Sequence, residues 1–229
     1  MKIKDNYAIC KVLAVFTFIA TVTANALASI LPINGMDTGQ ISDSFPNLFA
    51  PAGITFSIWG LIYISLAAFT VYLVLKLDNA KPADHWLRKT GFLFTLTNVA
   101  NALWILAWHY KIIELSLVLM LVILISLILI VMNIRKQTLT TGEKIFVSIP
   151  FSIYFGWITV ATVANVTTLL VDWSWTGFGL SEELWMILIV AVALVIGTIT
   201  TLKNKDAAYG LVLIWAFAGI LIKHLSPDF

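Results

Sequence analysis

Long apolar stretches alternate with short polar segments along the whole chain. Seven of these stretches approach the roughly 20 residues that an α-helix needs to cross a bilayer. They occupy residues 11–31, 50–75, 90–109, 112–134, 145–171, 184–202 and 207–222. Backbone polar groups cannot stay unpaired in hydrocarbon, and these stretches lack the alternating pattern of a membrane β-strand. The sequence therefore predicts seven transmembrane helices, the third and fourth joined only by Tyr110 and Lys111 as a tight hairpin.

Composition indicates the same fold class. Hydrophobic residues make up 60% of the chain and charged residues 11%, and the mean hydropathy is +0.96. Soluble domains carry about 25% charged residues. We therefore expect an all-α polytopic membrane protein in which residues 1–229 form a single membrane domain. A single cysteine, Cys10, excludes an internal disulfide.

Basic residues are distributed unevenly between the two sides of the predicted bundle. If the chain crosses the membrane seven times, twelve of its fourteen Lys and Arg residues share one side. These are Lys2, Lys4, Lys11, Lys76, Lys81, Arg88, Lys89, Arg135, Lys136, Lys144, Lys203 and Lys205, which leaves Lys111 and Lys223 on the other side. The positive-inside rule then predicts a cytoplasmic N-terminus and an outside C-terminus. The net charge of +2 reflects this sorting, so we expect a lipid bilayer and no nucleic acid as a partner.

The first apolar stretch also resembles a signal peptide. Lys2 and Lys4 precede it, and Ala26-Leu-Ala28 matches a cleavage site. The stretch is longer than the 7–15 residues of a typical signal core, which favours an uncleaved helix. The orientation of the other helices is the same in both cases.

Dedicated catalytic chemistry has no evident residues. No Asp, Glu, Lys or Arg lies near the middle of a predicted span, which disfavours an ion channel or proton-coupled pump. Walker A, G-x-G-x-x-G, H-E-x-x-H and G-x-S-x-G sequences are absent, and His85, His109 and His224 lack a metal-ligand spacing. We expect neither an enzyme nor a required cofactor or metal.

Three of the predicted helices carry a stripe of aromatic and polar residues at helical spacing. The members are Phe56, Trp59 and Tyr63 in the second helix, Asn101, Trp104 and Trp108 in the third, and Trp157, Ala161 and Asn165 in the fifth. Residues three, four or seven apart share one helix face. Lipid alone would favour Leu and Val there, so the stripes indicate either helix–helix packing or the wall of a ligand pocket.

Two segments outside the helices have more than linker composition. In residues 32–49, Asn34-Gly35 and Thr38-Gly39 favour turns, while Phe45 and Phe49 are apolar enough to fold back onto the bundle as a lid. Residues 172–180 carry three aromatic residues, Trp173, Trp175 and Phe178. For these residues, and for Trp185, an interfacial aromatic belt is a simpler interpretation than contact with a ligand.

The motifs together resemble a known family. Residues 51–63 (Pro-Ala-Gly-Ile-Thr-Phe-Ser-Ile-Trp-Gly-Leu-Ile-Tyr) are similar to the second helix of the TspO/MBR family of tryptophan-rich sensory proteins and translocator proteins. Asn101-x2-Trp104 is similar to its third-helix motif, and Trp157-x3-Ala161-x3-Asn165 to its fifth-helix motif. The resemblance is to the longer, seven-helix relatives, with a TspO-like five-helix core at 8–171 and two additional helices at 183–223.

The resemblance implies a small-molecule pocket among the first five helices. In the family such a pocket receives porphyrins and other hydrophobic ligands, so a porphyrin or haem is the implied ligand and a homodimer an implied assembly. Trp59, Tyr63, Trp104, Trp108, Trp157 and Asn165 would form the wall together with Phe56. Asn101 would bridge helices and Ala161 would keep the wall thin.

This chain departs from the family pattern at several positions. Two residues separate Phe56 from Trp59 where five-helix members have three, and Ala52 replaces the second Pro of a pair. The Arg-bearing aromatic segment linked to sterol binding in animal members is not recognisable in residues 166–175. The resemblance therefore does not extend to sterols.

Two functional classes compete on these observations. The first is a protein that binds, senses or carries a hydrophobic molecule without covalent chemistry; porphyrin degradation, attributed to some relatives, would have no identifiable catalytic residue here. The second is a secondary transporter or permease component for an unrelated solute, completed by the two C-terminal helices. A chain without an Arg- and Ser-rich presequence suits a bacterial plasma membrane better than a mitochondrion.

Overall fold

Seven long helices form the molecule in a computed structural model, which describes residues 2–31, 33–78 and 84–226, with side chains from Tyr7 onward. All seven are long and apolar enough to cross a membrane, as predicted, and the described residues contain no strand. They are α1 (Lys2–Ile30), α2 (Ile58–Asp78), α3 (His85–His109), α4 (Ile113–Ile134), α5 (Ile149–Asp172), α6 (Glu182–Asn204) and α7 (Ala207–His224).

The start of the second span differs from its prediction. The apolar run at 50–75 predicts a helix throughout, but residues 50–52 are not helical and Gly53–Ser57 form a 3-10 turn before α2 begins. Phe56 therefore lies in this lead-in turn and not on an α-helical face. A 3-10 helix has 3.0 residues per turn, so the shortened Phe56–Trp59 spacing still directs both side chains to one side.

The fifth span begins earlier than its prediction. The run at 145–171 is extended to Thr141–Asp172, and the added residues form a capped first turn. The Thr140 side chain accepts from the Glu143 N–H while the Glu143 carboxylate accepts from the Thr140 N–H, which is a capping box. A π-helical segment, Lys144–Ser148, then leads into α5.

Helix α5 is the centre of the bundle. It packs against α2, α4, α6 and α7, while α3 lies between α1 and α4. In the most apolar window of the fifth span 61% of residues are buried inside the protein, against 11% in α6. Edge-to-face contacts join α2, α3 and α5 deep in the core, with ring centroids 5.1 Å apart for Phe69–Phe94 and 4.7 Å apart for Phe69–Phe151.

The charged residues separate between the two ends of the bundle, as the sequence predicts. At one end Lys11 pairs with Asp78, and Lys76 lies 3.9 Å from carboxylate oxygens of both Asp84 and Glu143. Lys81 and the side chains of Lys2 and Lys4 lie outside the described residues. The assignment of this end to the cytoplasm stays a prediction from the charge count.

At the opposite end a structured outer loop (residues 33–52) covers the bundle. It contains a 3-10 turn, Ile33–Gly35, and a short helix, Thr38–Asp43; Pro32 lies outside the described residues. Phe45 and Phe49 are buried, which confirms that the loop folds back. The fully buried His109 fixes the loop, because its Nδ1 lies 3.0 Å from the Ile33 carbonyl oxygen and its Nε2 3.3 Å from the Thr38 hydroxyl.

Candidate functional site

The aromatic stripes of the second, third and fifth spans meet beneath the outer loop. We call Phe56, Trp59, Trp104, Trp108 and Trp157 the inner cluster. The Trp59 ring is the hub, with ring centroids 6.1 Å from Trp104 and 6.3 Å from Trp157. Trp108 stacks on Trp104 with centroids 5.8 Å apart, and Phe56 meets Trp157 edge-on at 6.0 Å. Three distant segments thus build one aromatic wall.

This wall borders a small space beneath the outer loop, the inner pocket. Its volume is about 40 Å³, and the inner cluster, Ala161 and Asn165 line it from below. The roof comes from the outer loop and consists of Ser42, Asn47, Ala50 and Pro51. A space of this size holds little more than ordered water. Seven of the nine residues singled out in the sequence therefore line one narrow pocket.

The other two, Tyr63 and Asn101, lie beside the pocket and do not line it. The Tyr63 ring stacks on Trp59 with centroids 5.4 Å apart, and its buried hydroxyl has no hydrogen-bond partner. Asn101 joins three helices, because its Oδ1 accepts from Asn25 of α1 at 2.8 Å and its Nδ2 donates to the Tyr154 hydroxyl of α5 at 3.3 Å. Asn101 acts as a helix bridge beneath the aromatic wall.

Unpaired donors distinguish the inner cluster from ordinary packing. The indole Nε1 atoms of Trp104 and Trp157 are buried and have no hydrogen-bond partner, whereas Trp108 donates to the Thr38 carbonyl at 3.3 Å. An indole N–H can only donate, and leaving such a group buried and unpaired costs about 1–3 kcal/mol. Two buried indole donors beside the inner pocket therefore lack an acceptor, and a ligand with acceptor oxygens could supply one to each.

The side-chain amide of Asn165 already has a hydrogen-bond partner. Its Nδ2 donates to the Ser116 hydroxyl of α4 at 2.9 Å, and that hydroxyl lies 3.2 Å from the Asn165 Oδ1. Its amide therefore couples α5 to α4 while its surface contributes to the pocket wall. Sequence reasoning did not single out Ser116, Asn25 or Tyr154. The available signal was a polar group inside each apolar run, which does not by itself identify the partner helix.

A second, larger space lies beside the first. We call it the outer cavity; its volume is about 320 Å³, and it lies between the outer loop, the end of α5, residues 175–180 and the start of α6. The Trp175 and Trp185 rings, 4.8 Å apart, form one wall. Trp173 and Phe178 are exposed, as belt residues are, whereas Trp175 and Trp185 pack against each other.

Helix α7 binds residues that flank the roof of the inner pocket. The Gly219 carbonyl accepts from the Ala52 N–H at 3.0 Å, and the Trp215 indole donates to the Thr55 carbonyl at 3.0 Å. The Lys223 ammonium donates to the Asp43 carboxylate at 2.7 Å. A Cβ built on Gly219 would lie 2.8 Å from the Thr55 Cβ, so glycine permits this close approach. One of the two C-terminal helices therefore supports the site built by the first five.

Comparison with known proteins identifies the family. Among the described residues, no three His, Cys, Asp or Glu side chains are grouped as a metal site. No curated protein and no solved structure matches the chain significantly. The sequence model of the TSPO-like protein family matches residues 11–228, a range that includes both C-terminal helices. The chain therefore belongs to the TSPO-like protein family.

Proposed function

We propose that this membrane protein binds a planar hydrophobic molecule in the inner pocket and senses or carries it. The observation that supports this most directly is the pair of unpaired indole donors, Trp104 and Trp157, inside an aromatic enclosure. A planar ring gains from offset stacking on indole faces, and acceptor oxygens on its edge satisfy the N–H groups.

A tetrapyrrole fits this description best among common hydrophobic ligands. Protoporphyrin IX and haem have a flat macrocycle for the aromatic faces of Trp59, Trp104 and Trp157. Their propionate carboxylates supply charged acceptors, and hydrogen bonds to charged groups contribute about 1.5–3 kcal/mol. The side chains that line the pocket are aromatic, aliphatic, amide or hydroxyl, without an acid or base. Binding, and not catalysis, is therefore the proposed role.

The proposal requires the pocket to open. Ligand sites typically occupy about 300–1,000 Å³, and the inner pocket holds about 40 Å³. The roof is the natural moving part because it belongs to a loop, while the walls belong to packed helices. Its ties to α7 are a few hydrogen bonds and the Lys223–Asp43 ion pair. We therefore propose that residues 42–51 act as a lid.

The assembly and location that accompany this function are also proposals. The charge sorting supports an orientation with the lid on the outer face, and a bacterial plasma membrane is the proposed location. The family resemblance supports a homodimer. Single cysteines introduced at residues 44 and 205 of a Cys10→Ala variant would test the orientation, because an impermeant maleimide should label only residue 44 in intact cells. Labelling of residue 205 alone would reverse the topology.

Titration with protoporphyrin IX tests the binding proposal. The purified protein in nanodiscs should show saturable quenching of tryptophan fluorescence. Trp104→Phe and Trp157→Phe keep an aromatic face but remove the donor, so each should weaken binding about tenfold, which corresponds to about 1.4 kcal/mol. Trp59→Phe tests whether the Trp59 ring, the hub of the inner cluster, contributes to binding by stacking.

The matched control is Trp173→Phe. Trp173 is 60% exposed and its indole donates to the Glu114 carboxylate at 3.0 Å, so this variant alters an indole outside the pocket. Its affinity for protoporphyrin IX should equal that of the wild type. Absence of saturable quenching, or equal affinities for Trp157→Phe, Trp104→Phe and Trp173→Phe, would refute the proposal.

A further inference from the structure

We propose that the outer cavity is a second binding site, selective for a small aromatic amine in its cationic form. The inference depends on a cavity of ligand size, an aromatic wall and a single carboxylate without a partner. These features come from the outer loop, the end of α5 and residues 175–189, and Asn47 is the one lining residue that the two spaces share. It therefore stands independently of tetrapyrrole binding.

The outer cavity has the size and the lining of a small-molecule site. The cavity volume of about 320 Å³ falls within the range of about 300–1,000 Å³ for small-molecule sites. Leu170, Met186 and Ile189 provide an apolar floor, and Phe49 contributes from the outer loop. An apolar body of one or two fused rings would be desolvated by these groups.

A fixed indole ring forms part of the aromatic wall of the cavity. The Trp185 indole donates to the Gly177 carbonyl at 2.7 Å, so its N–H is already satisfied. Gly177 has a positive φ of 63°, and a Cβ there would lie 2.7 Å from the Trp185 Cδ1, so only glycine allows this packing. The held ring offers its π face and no free donor to a ligand. Indole faces attract cations as well as flat rings.

The outer cavity carries one negative charge on its lining. Glu182 lines the cavity, and no other lining residue is charged. Glu182 is exposed at the start of α6, and its carboxylate has no hydrogen-bond or ion-pair partner among the residues that the structure describes. The groove next to the cavity, which also includes Glu182, contains Lys223, but the Lys223 ammonium pairs with Asp43. The Glu182 carboxylate therefore makes this edge of the cavity acidic and favours a cation.

The two sites would select different chemistry. The inner pocket offers unpaired donors and suits acceptor oxygens, while the outer cavity offers a carboxylate and indole faces and suits an ammonium group. Asn47 borders both spaces, so the outer loop separates them. An amine bound in the outer cavity would contact the lid without entering the inner pocket.

Calorimetric titration with tryptamine and tryptophol tests this inference. The two molecules share an indole, and only tryptamine carries an ammonium group. The full chain in phosphatidylcholine nanodiscs should bind tryptamine saturably and tryptophol at least about tenfold more weakly. Glu182→Gln should weaken tryptamine binding about tenfold and leave tryptophol binding unchanged. These shifts correspond to about 1.4 kcal/mol each.

Matched variants separate the outer cavity from surface charge and from the inner pocket. Glu183→Gln removes the adjacent carboxylate, which does not line the cavity, and should leave tryptamine affinity unchanged. Ala161→Phe, which fills the inner pocket, should also leave it unchanged. Equal affinity for tryptamine and tryptophol, equal effects of Glu182→Gln and Glu183→Gln, loss of tryptamine binding in Ala161→Phe, or a signal equal to that of empty nanodiscs would each overturn the inference.

Discussion

The inner cluster and the wall of the outer cavity both contain tryptophan, but they include indole donors in different hydrogen-bonding states. In the inner cluster, the Trp104 and Trp157 donors are buried and unpaired around about 40 Å³ of space. In the outer cavity, the Trp185 donor is paired with the Gly177 carbonyl, and about 320 Å³ is open beside it. Tryptophan content alone does not distinguish these environments.

A paired indole donor and an unpaired one contribute to a binding site in different ways. A buried donor without a partner lowers the stability of the empty protein, and this cost is offset only when a ligand supplies an acceptor. A satisfied donor fixes the ring and leaves only its face for recognition. The inner cluster is therefore organised for hydrogen bonding within an enclosed site, and the outer wall for stacking at an accessible one.

The largest expected effect comes from filling the inner pocket. Ala161 lines it, and Ala161→Phe would occupy most of its volume of about 40 Å³ and block ring stacking beside Trp157. Protoporphyrin IX affinity should fall about a hundredfold, which corresponds to about 2.7 kcal/mol. Fluorescence titration measures it directly.

The control for this change is Ala191→Phe. Ala191 is exposed on α6, so the same added ring should leave the affinity unchanged. If Ala161→Phe binds protoporphyrin IX as tightly as the wild type, the ligand does not occupy the inner pocket. The comparison between the two tryptophan environments would then lose its functional meaning.

A smaller effect is expected where α7 supports the roof. Gly219→Ala would place a methyl group against Thr55, with only 2.8 Å between the new carbon and the Thr55 Cβ, and the neighbouring Ala52 N–H bond to the Gly219 carbonyl would be strained. Overpacking of this kind costs about 1–3 kcal/mol. We expect a lower free energy of unfolding and faster ligand association.

Gly60→Ala is the matched control for the roof. Gly60 lies in α2 with no atom within 4 Å of an added Cβ. Stability should be unchanged or raised, because alanine favours a helix by about 1 kcal/mol over glycine. Equal melting temperatures for the two variants, measured in the same nanodiscs, would show that α7 does not hold the roof.

The fold follows from simple features of the sequence. Seven apolar runs specify seven spans, and the three aromatic stripes converge because α2 packs against both α5 and α3. The Phe56 turn was less accessible to this reasoning, since an apolar run does not distinguish a 3-10 lead-in from an α-helix. Proline at residue 51 and the glycine at residue 53 mark the break only in retrospect.

The site could be predicted only in part. Helical spacing identifies Trp104 and Trp157 but not the pairing of their N–H groups, which depends on side-chain rotamers and on what the partner helix offers. The outer cavity escaped sequence reasoning because Trp175 and Trp185 have the positions expected of an interfacial belt. Their mutual packing depends on a turn at Gly177 with positive φ, a tertiary feature without a periodic signal.

The smallest predicted effect compares the two indole environments most directly. Trp185→Phe removes a donor paired at 2.7 Å, so the free energy of unfolding should fall by about 1 kcal/mol from the lost hydrogen bond in addition to the loss of ring area. Trp157→Phe removes an unpaired donor, whose burial carried a cost. Because Trp157 is buried and Trp185 is half-buried, the two losses are compared per unit of buried ring area removed, and the loss for Trp157→Phe should be smaller. Denaturation of both variants without ligand measures the difference. Equal losses, or a larger loss for Trp157→Phe, would mean that the inner donors are paired in the empty protein, and the argument that they await a ligand would fail.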